Sequence, residues 1–274
     1  MYQINNPHPF LFNMTSITQQ TTRSKGYTPI KSFKTILVDR SGSMGSFNGK
    51  QYDMAEHLLQ DAKNQAVEKN QSSLVTFITF DDKVEVMLND SDLLTTDVPP
   101  IHIIEGALTP RGCTHFNDTL IEQIDALMLK KETFLSSLHS DTRQLSPDVA
   151  MVLIAITDGE DNGSRATTDD AREKMLKFRK SGGRAILMTA NMDAEVVGGW
   201  YGFNPQKSIT VHNSNESAIE TCYRAVSGMA RNLTQGIDAP PFSALQRTQS
   251  SQVDYEGAQD NADHLMPPPF ISRR

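Results

Sequence analysis

Residues 149–156 read Val-Ala-Met-Val-Leu-Ile-Ala-Ile, eight positions without a charged or polar side chain. The run is far too short to span a bilayer, which takes about 20 residues as a helix. It suits a strand covered on both faces, the situation of a central strand in a parallel sheet. That one strand constrains the whole chain. Parallel neighbours cannot be joined by tight turns, so helices must return across the sheet faces.

The rest of the sequence supplies those partners. Apolar stretches at 35–38, 74–80, 184–189 and 208–211 read as further strands, and 83–88 follows 74–80 after only Asp81-Asp82. That turn is too short for a crossover, so these two strands form an antiparallel hairpin. Apolar residues at helical spacing mark the connections. They are Ala55, Leu58, Leu59, Ala62 and Ala66; then Leu120, Ile124, Leu127, Phe134 and Leu138. Ala171, Met175 and Phe178 follow, closed by Gly182-Gly183, and last come Ile219, Cys222, Val226, Ala230 and Leu233. The expected fold class is α/β: a doubly wound, Rossmann-like, mostly parallel sheet with one antiparallel edge strand and helices on both faces.

Composition divides the 274 residues into three parts. Residues 1–32 are polar and aperiodic and read as an N-terminal tail. Residues 33–236 carry the alternation of strands and helices. Residues 237–274, rich in Pro, Gln and Ser, read as an extended C-terminal tail. Pro9-Phe10, Pro240-Pro241-Phe242 and Pro268-Pro269-Phe270 echo one another and suggest segments that dock a Phe on a partner. Lys and Arg number 26 against 33 Asp and Glu, a net charge of −7, so nucleic-acid binding through phosphate neutralisation is not expected. No apolar window suggests a membrane partner. The first twenty residues show neither a basic leader nor an apolar core, which points to a cytoplasmic protein, with incorporation into a particle as a variant. Two cysteines, Cys113 and Cys222, rule out a disulfide scaffold. Cys113 is expected as a small buried filler.

In doubly wound sheets ligands gather at the carboxyl ends of the strands. Three segments place oxygen donors there. Asp39, Ser41 and Ser43 follow the first strand, Thr114 precedes the second long helix, and Asp158 follows the central strand. Two carboxylates and three hydroxyls form an all-oxygen set suited to Mg²⁺, with Mn²⁺ as a substitute, and the lack of His and Cys disfavours zinc. The carboxylates neutralise the ion and the hydroxyls add no charge. The ion therefore stays electrophilic at an open position and can accept an Asp or Glu carboxylate from a protein partner. A calcium cage would use more carboxylates.

Other readings fit less well. Gly42, Gly45 and Gly49 do not have dinucleotide-loop spacing, and Asp39 would aim negative charge at phosphates. The stretch from Asp158 to Asp169 partly mimics a calcium loop, but Glu160 is too long for its position and a strand stands where a helix is needed. Glu160 and Asp161 read instead as a solvated rim. His115 reads as a helix-start residue, which leaves Ser41 and Ser43 without an oriented base, so no catalytic residue is assigned and no enzyme is expected. Trp200, Tyr201 and Phe203 read as cover for the sheet end, or as a partner anchor.

The order Asp-x-Ser-x-Ser, distant Thr, distant Asp resembles the metal-ion-dependent adhesion site (MIDAS) of the von Willebrand factor A family, in its intracellular form. Asp39, Ser41, Ser43, Thr114 and Asp158 fill its five positions in order. Met44 and Thr157-Asp158-Gly159 match the flanks, and 189–194 is similar to a segment of soluble members. The resemblance covers roughly 33–236. It implies that Ser41, Ser43 and Thr114 ligate the ion directly and that Asp39 and Asp158 bind directly or through water. It further implies a metal-dependent protein–protein interaction module serving as an accessory or scaffold subunit. One alternative is a structural component of a large assembly, such as a viral particle, held through its tails, with the metal only stabilising the fold. A metal-dependent hydrolase is the remaining one.

Overall fold

The computed structural model describes residues 29–144, 148–158, 161–213 and 215–251. β1 (Lys31–Asp39) runs through a 3₁₀ turn at Gly42–Phe47 into α1 (Lys50–Lys69). The hairpin β2 (Ser73–Phe80) and β3 (Val84–Asp92) follows, then α2 (Ile101–Ala107), α3 (Phe116–Ser137) and α4 (Ser140–Gln144). β4 (Val149–Thr157), α5 (Thr168–Lys180), β5 (Arg184–Ala190) and α6 (Ala194–Trp200) come next. β6 (Ser208–Val211), α7 (Glu216–Thr234) and α8 (Ala244–Ser250) complete the described chain. The six strands lie in the order β3-β2-β1-β4-β5-β6, all parallel except β3. The expected doubly wound sheet with its antiparallel edge is the fold observed.

Strand alternation feeds two apolar layers, one on each face. Ile36, Val38, Val152, Ile154 and Ile156 pack with α1, α2 and α7. Phe33, Leu37, Met151, Leu153 and Ala155 pack with α3, α5 and α6. All nine residues of β4 are buried, as its uncharged sequence requires. Lys34 puts an ammonium group into the first of these layers. Lys34 of β1 is buried against Leu58, Ala62 and Ser227, and desolvation lowers its pKa from 10.5 to about 8, partly offset by Asp61.

The short helices α2, α4 and α6 were not marked by periodicity, since none exceeds two turns. Tyr201 and Phe203 are buried in the core while Trp200 stays half-exposed, so two of the three aromatics cover the sheet. The larger difference lies past residue 236, where composition indicated an extended tail. Phe242 is buried, its N–H donates to the Gln206 carbonyl at 3.1 Å, and α8 packs on α7 and β6. Local chemistry explains the helix. Ser243 and Gln246 form a reciprocal capping box, at 3.2 and 2.8 Å. Arg247 then ties the helix down through the carbonyls of Ser208 (2.8 Å) and Pro205 (3.0 Å). The Pro-Phe segments at 9–10 and 268–270 lie outside the described residues. Among the described residues no helix is long and apolar enough to cross a membrane.

Candidate metal centre

The sheet order reverses between β1 and β4: the chain leaves β1 for β2 on one side and reaches β4 on the other. Connections diverge there, which opens a crevice at the carboxyl ends of these two strands. Asp39 is the last residue of β1 and Thr157 the last of β4, one step beyond the Val38–Ile156 pair. Thr157 Oγ1 donates to Asp39 Oδ2 at 2.6 Å, and the Ser41 N–H donates to Asp39 Oδ1 at 2.7 Å. The Ser41 and Ser43 hydroxyls are 3.1 Å apart, and Ser43 Oγ donates to Asp158 Oδ1 at 2.9 Å. Asp39, Ser41, Ser43 and Asp158 thus form one hydrogen-bonded string.

Thr114 arrives from the irregular loop between α2 and α3 and is buried. Its N–H donates to Asn162 Oδ1 at 2.8 Å, and its carbonyl accepts from Asn162 N (3.0 Å) and Gly163 N (3.1 Å). The loop that carries Asp158 therefore also clamps Thr114. On the other flank the Gly42 N–H donates to the Gly112 carbonyl at 3.3 Å, which holds the Thr114 loop against the serine loop.

The two carboxylates sit in an environment that opposes their charge. Burial raises the Asp39 pKa from 3.8 to about 6; the bonds from Thr157 and Ser41 pull it down, and Asp158 adds repulsion. Asp158 is also raised by desolvation, with the Ser43 hydrogen bond in opposition. Ser41, Ser43 and Asp158 are linked to one another, and only oxygen atoms are involved. A hard divalent cation fits this donor set, since it would compensate both carboxylates and use the hydroxyl lone pairs.

Several residues around the centre differ from their sequence-based reading. Asp161 is not a solvated rim: it accepts from Asn117 N (2.8 Å), Ser164 N (3.1 Å) and the Ser164 hydroxyl, and so caps the start of α3. Glu160 lies outside the described residues. Cys113 is exposed, in the irregular loop before α3, while Cys222 is buried in α7. His115, by contrast, is the N-cap residue of α3, as its sequence position indicated, and its ring lies where a Gly163 side chain would be, 2.1 Å from an added Cβ.

Sequence reading gave Thr157 only as a flank, without its bond to Asp39, and missed Asn162 and a group of charges beside the crevice. Arg40, buried between two of the candidate ligands, donates from Nε to Asp81 Oδ2 (2.8 Å) and from Nη1 to Glu85 Oε2 (2.7 Å), Thr79 Oγ1 (3.1 Å) and the Ala107 carbonyl (3.1 Å). Arg111 donates to the same Asp81 oxygen at 2.7 Å and to Glu85. Burial alone would raise the Asp81 pKa, but the bonds from Arg111 and Arg40 bring it down to about 2. An Arg between an Asp and a Ser carries no periodic signal, and its side-chain partners lie about forty positions away.

No protein-family model and no curated protein matches the sequence. Solved structures do match in fold. The pilus adhesin SpaC of Lactobacillus rhamnosus GG, in an open conformation, superposes with a TM-score of 0.51 at 15% identity over 76% of this chain and 31% of that one. A von Willebrand factor type A structure from Catenulispora acidiphila gives 0.48 at 12% identity, over 74% of this chain and 43% of that one. Proximal thread matrix protein 1 from the mussel byssus, described with a zinc-occupied MIDAS motif, gives 0.43 at 16% identity, over 75% and 45%. The chain thus spans less than half the length of each of these three. At such identities the likeness is one of fold. What is shared with the adhesin is the doubly wound α/β sheet, and a von Willebrand factor type A structure, of the family that the order of Asp39, Ser41, Ser43, Thr114 and Asp158 resembles, is among the matches.

Proposed function

We propose that the protein is a divalent-cation-dependent protein-interaction module. Mg²⁺ is the ion, with Mn²⁺ as a substitute, and Asp39, Ser41, Ser43, Thr114 and Asp158 are the residues that hold it. Bound there, the ion supplies a Lewis-acidic position that an Asp or Glu carboxylate of a partner protein completes. In this reading the chain is a non-enzymatic accessory or scaffold subunit of a larger complex in a reducing, cytoplasmic setting.

The observation that carries the reading is the linkage of Asp39 to Asp158 through the Ser41 N–H and the Ser41 and Ser43 hydroxyls at the sheet's switch point. Two desolvated carboxylates with no basic side chain among their hydrogen-bond partners in the described residues fit a cation as the missing charge. A displayed library of peptides rich in Asp and Glu tests the reading. Acidic peptides captured in Mg²⁺, released by EDTA and not captured by Asp39→Ala support it. Capture that is equal in EDTA and in the variant sinks it.

A further inference from the structure

The four charges beside the crevice form a closed ring that touches every loop delivering a serine or Thr114 to the candidate centre. Arg40 sits on the serine loop, Asp81 and Glu85 on the β2–β3 hairpin, and Arg111 three residues before Thr114. Each Arg reaches both acids. Backbone bonds run in parallel: Arg40 N to the Phe80 carbonyl (2.9 Å), Arg111 N to the Arg40 carbonyl (2.8 Å) and His115 N to the Asp81 carbonyl (3.1 Å). The loop from Leu108 to Thr114 has no regular structure, so this ring, these backbone bonds, the Gly42–Gly112 bond and Asn162 together set the distance between Thr114 and the two serines.

Stability alone does not account for the ring. Buried ion pairs are often matched or surpassed by apolar side chains of similar volume. Arg111 is 50% exposed, where such pairs add little. What two Arg forks on two carboxylates provide is fixed distance and direction. A cation site needs its donors placed within about 0.5 Å. Mg²⁺ demands near-ideal octahedral geometry, whereas Ca²⁺ accepts irregular cages.

The geometry points to Arg40, Arg111, Asp81 and Glu85 as positioning residues that hold Thr114 in register with Ser41 and Ser43 and so set the preference for a small cation. This inference rests on the cation-site reading above. Arg111 is the residue to test, because its removal leaves the buried Arg40–Asp81 pair intact. The experiment is calorimetric titration of Mg²⁺ and Ca²⁺ into the full chain, its Arg111→Ala and Arg111→Lys variants and Asp39→Ala, with unfolding temperatures in EDTA alongside. Loss of a positioning contact around a metal costs about 10–100-fold in affinity. Arg111→Ala should therefore bind Mg²⁺ at least about tenfold more weakly, lose less for Ca²⁺, and unfold in EDTA close to the wild-type temperature. Lys, a point charge without the fork, should recover only part of the loss. Unchanged Mg²⁺ affinity in Arg111→Ala, or an equal loss for both ions together with a lower unfolding temperature, overturns the inference. A wild-type chain that binds neither ion, or an Asp39→Ala variant that binds both normally, overturns the cation-site reading itself and the positioning role with it.

Discussion

Asp39→Asn should make the cation-free protein more stable, although the carboxylate lies at the centre of the proposed site. Asp39 ionises near 3.8 in the unfolded chain and near 6 in the folded, cation-free protein, chiefly because it is buried. Between these values the folded state keeps a proton that the unfolded state has released, so stability falls as pH rises. Above pH 6 the loss is complete, at about 3 kcal/mol. The amide removes the charge and keeps an oxygen for the Ser41 N–H, while its NH₂ turns the Thr157 hydroxyl from donor to acceptor. Allowing about 1 kcal/mol for poorer hydrogen bonds, the net gain at pH 7.5 is about 2 kcal/mol, or about 4–8 °C in unfolding temperature for a domain of this size. The assay is urea unfolding in EDTA from pH 4 to pH 8, followed by circular dichroism. The two proteins should converge near pH 4 and separate through pH 6. In Mg²⁺ at a hundredfold excess over Kd the wild type should gain about 2.7 kcal/mol and the variant far less. A wild type that is the more stable of the two in EDTA at pH 7.5, with no pH dependence between 4 and 7, would refute this reasoning.

Three further outcomes are expected. Lys34→Met should stabilise the protein by about 1–3 kcal/mol at pH 7, since it replaces a desolvated ammonium with an apolar side chain. In the wild type the unfolded chain holds the Lys34 proton up to 10.5 and the folded chain only to about 8, so wild-type stability should rise with pH across that window and the variant's should not. Urea midpoints at pH 7 and 10 decide it, and a destabilised variant contradicts the argument. Iodoacetamide applied to the native protein should label exposed Cys113 and spare Cys222, whose thiol burial pushes above the usual range. Peptide mass mapping that finds Cys222 labelled before unfolding would contradict the burial. Asp161→Ala removes the cap from Asn117 N and Ser164 and should cost about 1–2 kcal/mol, read from the urea midpoint; an unchanged midpoint would mean that the cap contributes nothing.

What could be read in advance follows the range of the forces involved. β4 announced itself through eight uncharged residues, and Ala55 to Ala66 through helical spacing, because burial of a whole face is written into contiguous sequence. Asp81-Asp82 gave the hairpin through length alone. α8 was also legible in principle, since Ser243 and Gln246 stand at capping-box spacing, but the prolines before it outweighed that signal. Asp39, Ser41, Ser43 and Asp158 were found because each lies within five residues of the end of an apolar strand. Arg40, Asp81, Glu85, Arg111 and Asn162 were not. Their meaning depends on partners that only the folded sheet brings together, as when Arg40 meets Asp81 and Thr114 meets Asn162. Cys113 and Asp161 were misjudged for a related reason. A cysteine beside a candidate ligand and an acid in a polar loop look alike in sequence, whether they face water or a helix end.

The most direct test of the central claim is a crystal of the full chain grown with Mn²⁺ and measured at the manganese absorption edge. The account expects one anomalous peak at the carboxyl ends of β1 and β4, bonded to Ser41 Oγ, Ser43 Oγ and Thr114 Oγ1 at distances near the roughly 2.0–2.1 Å typical of Mg²⁺. Asp39 and Asp158 should hold the same ion directly or through water. A crevice without a peak at saturating Mn²⁺, or a peak bound only by other residues, would contradict it.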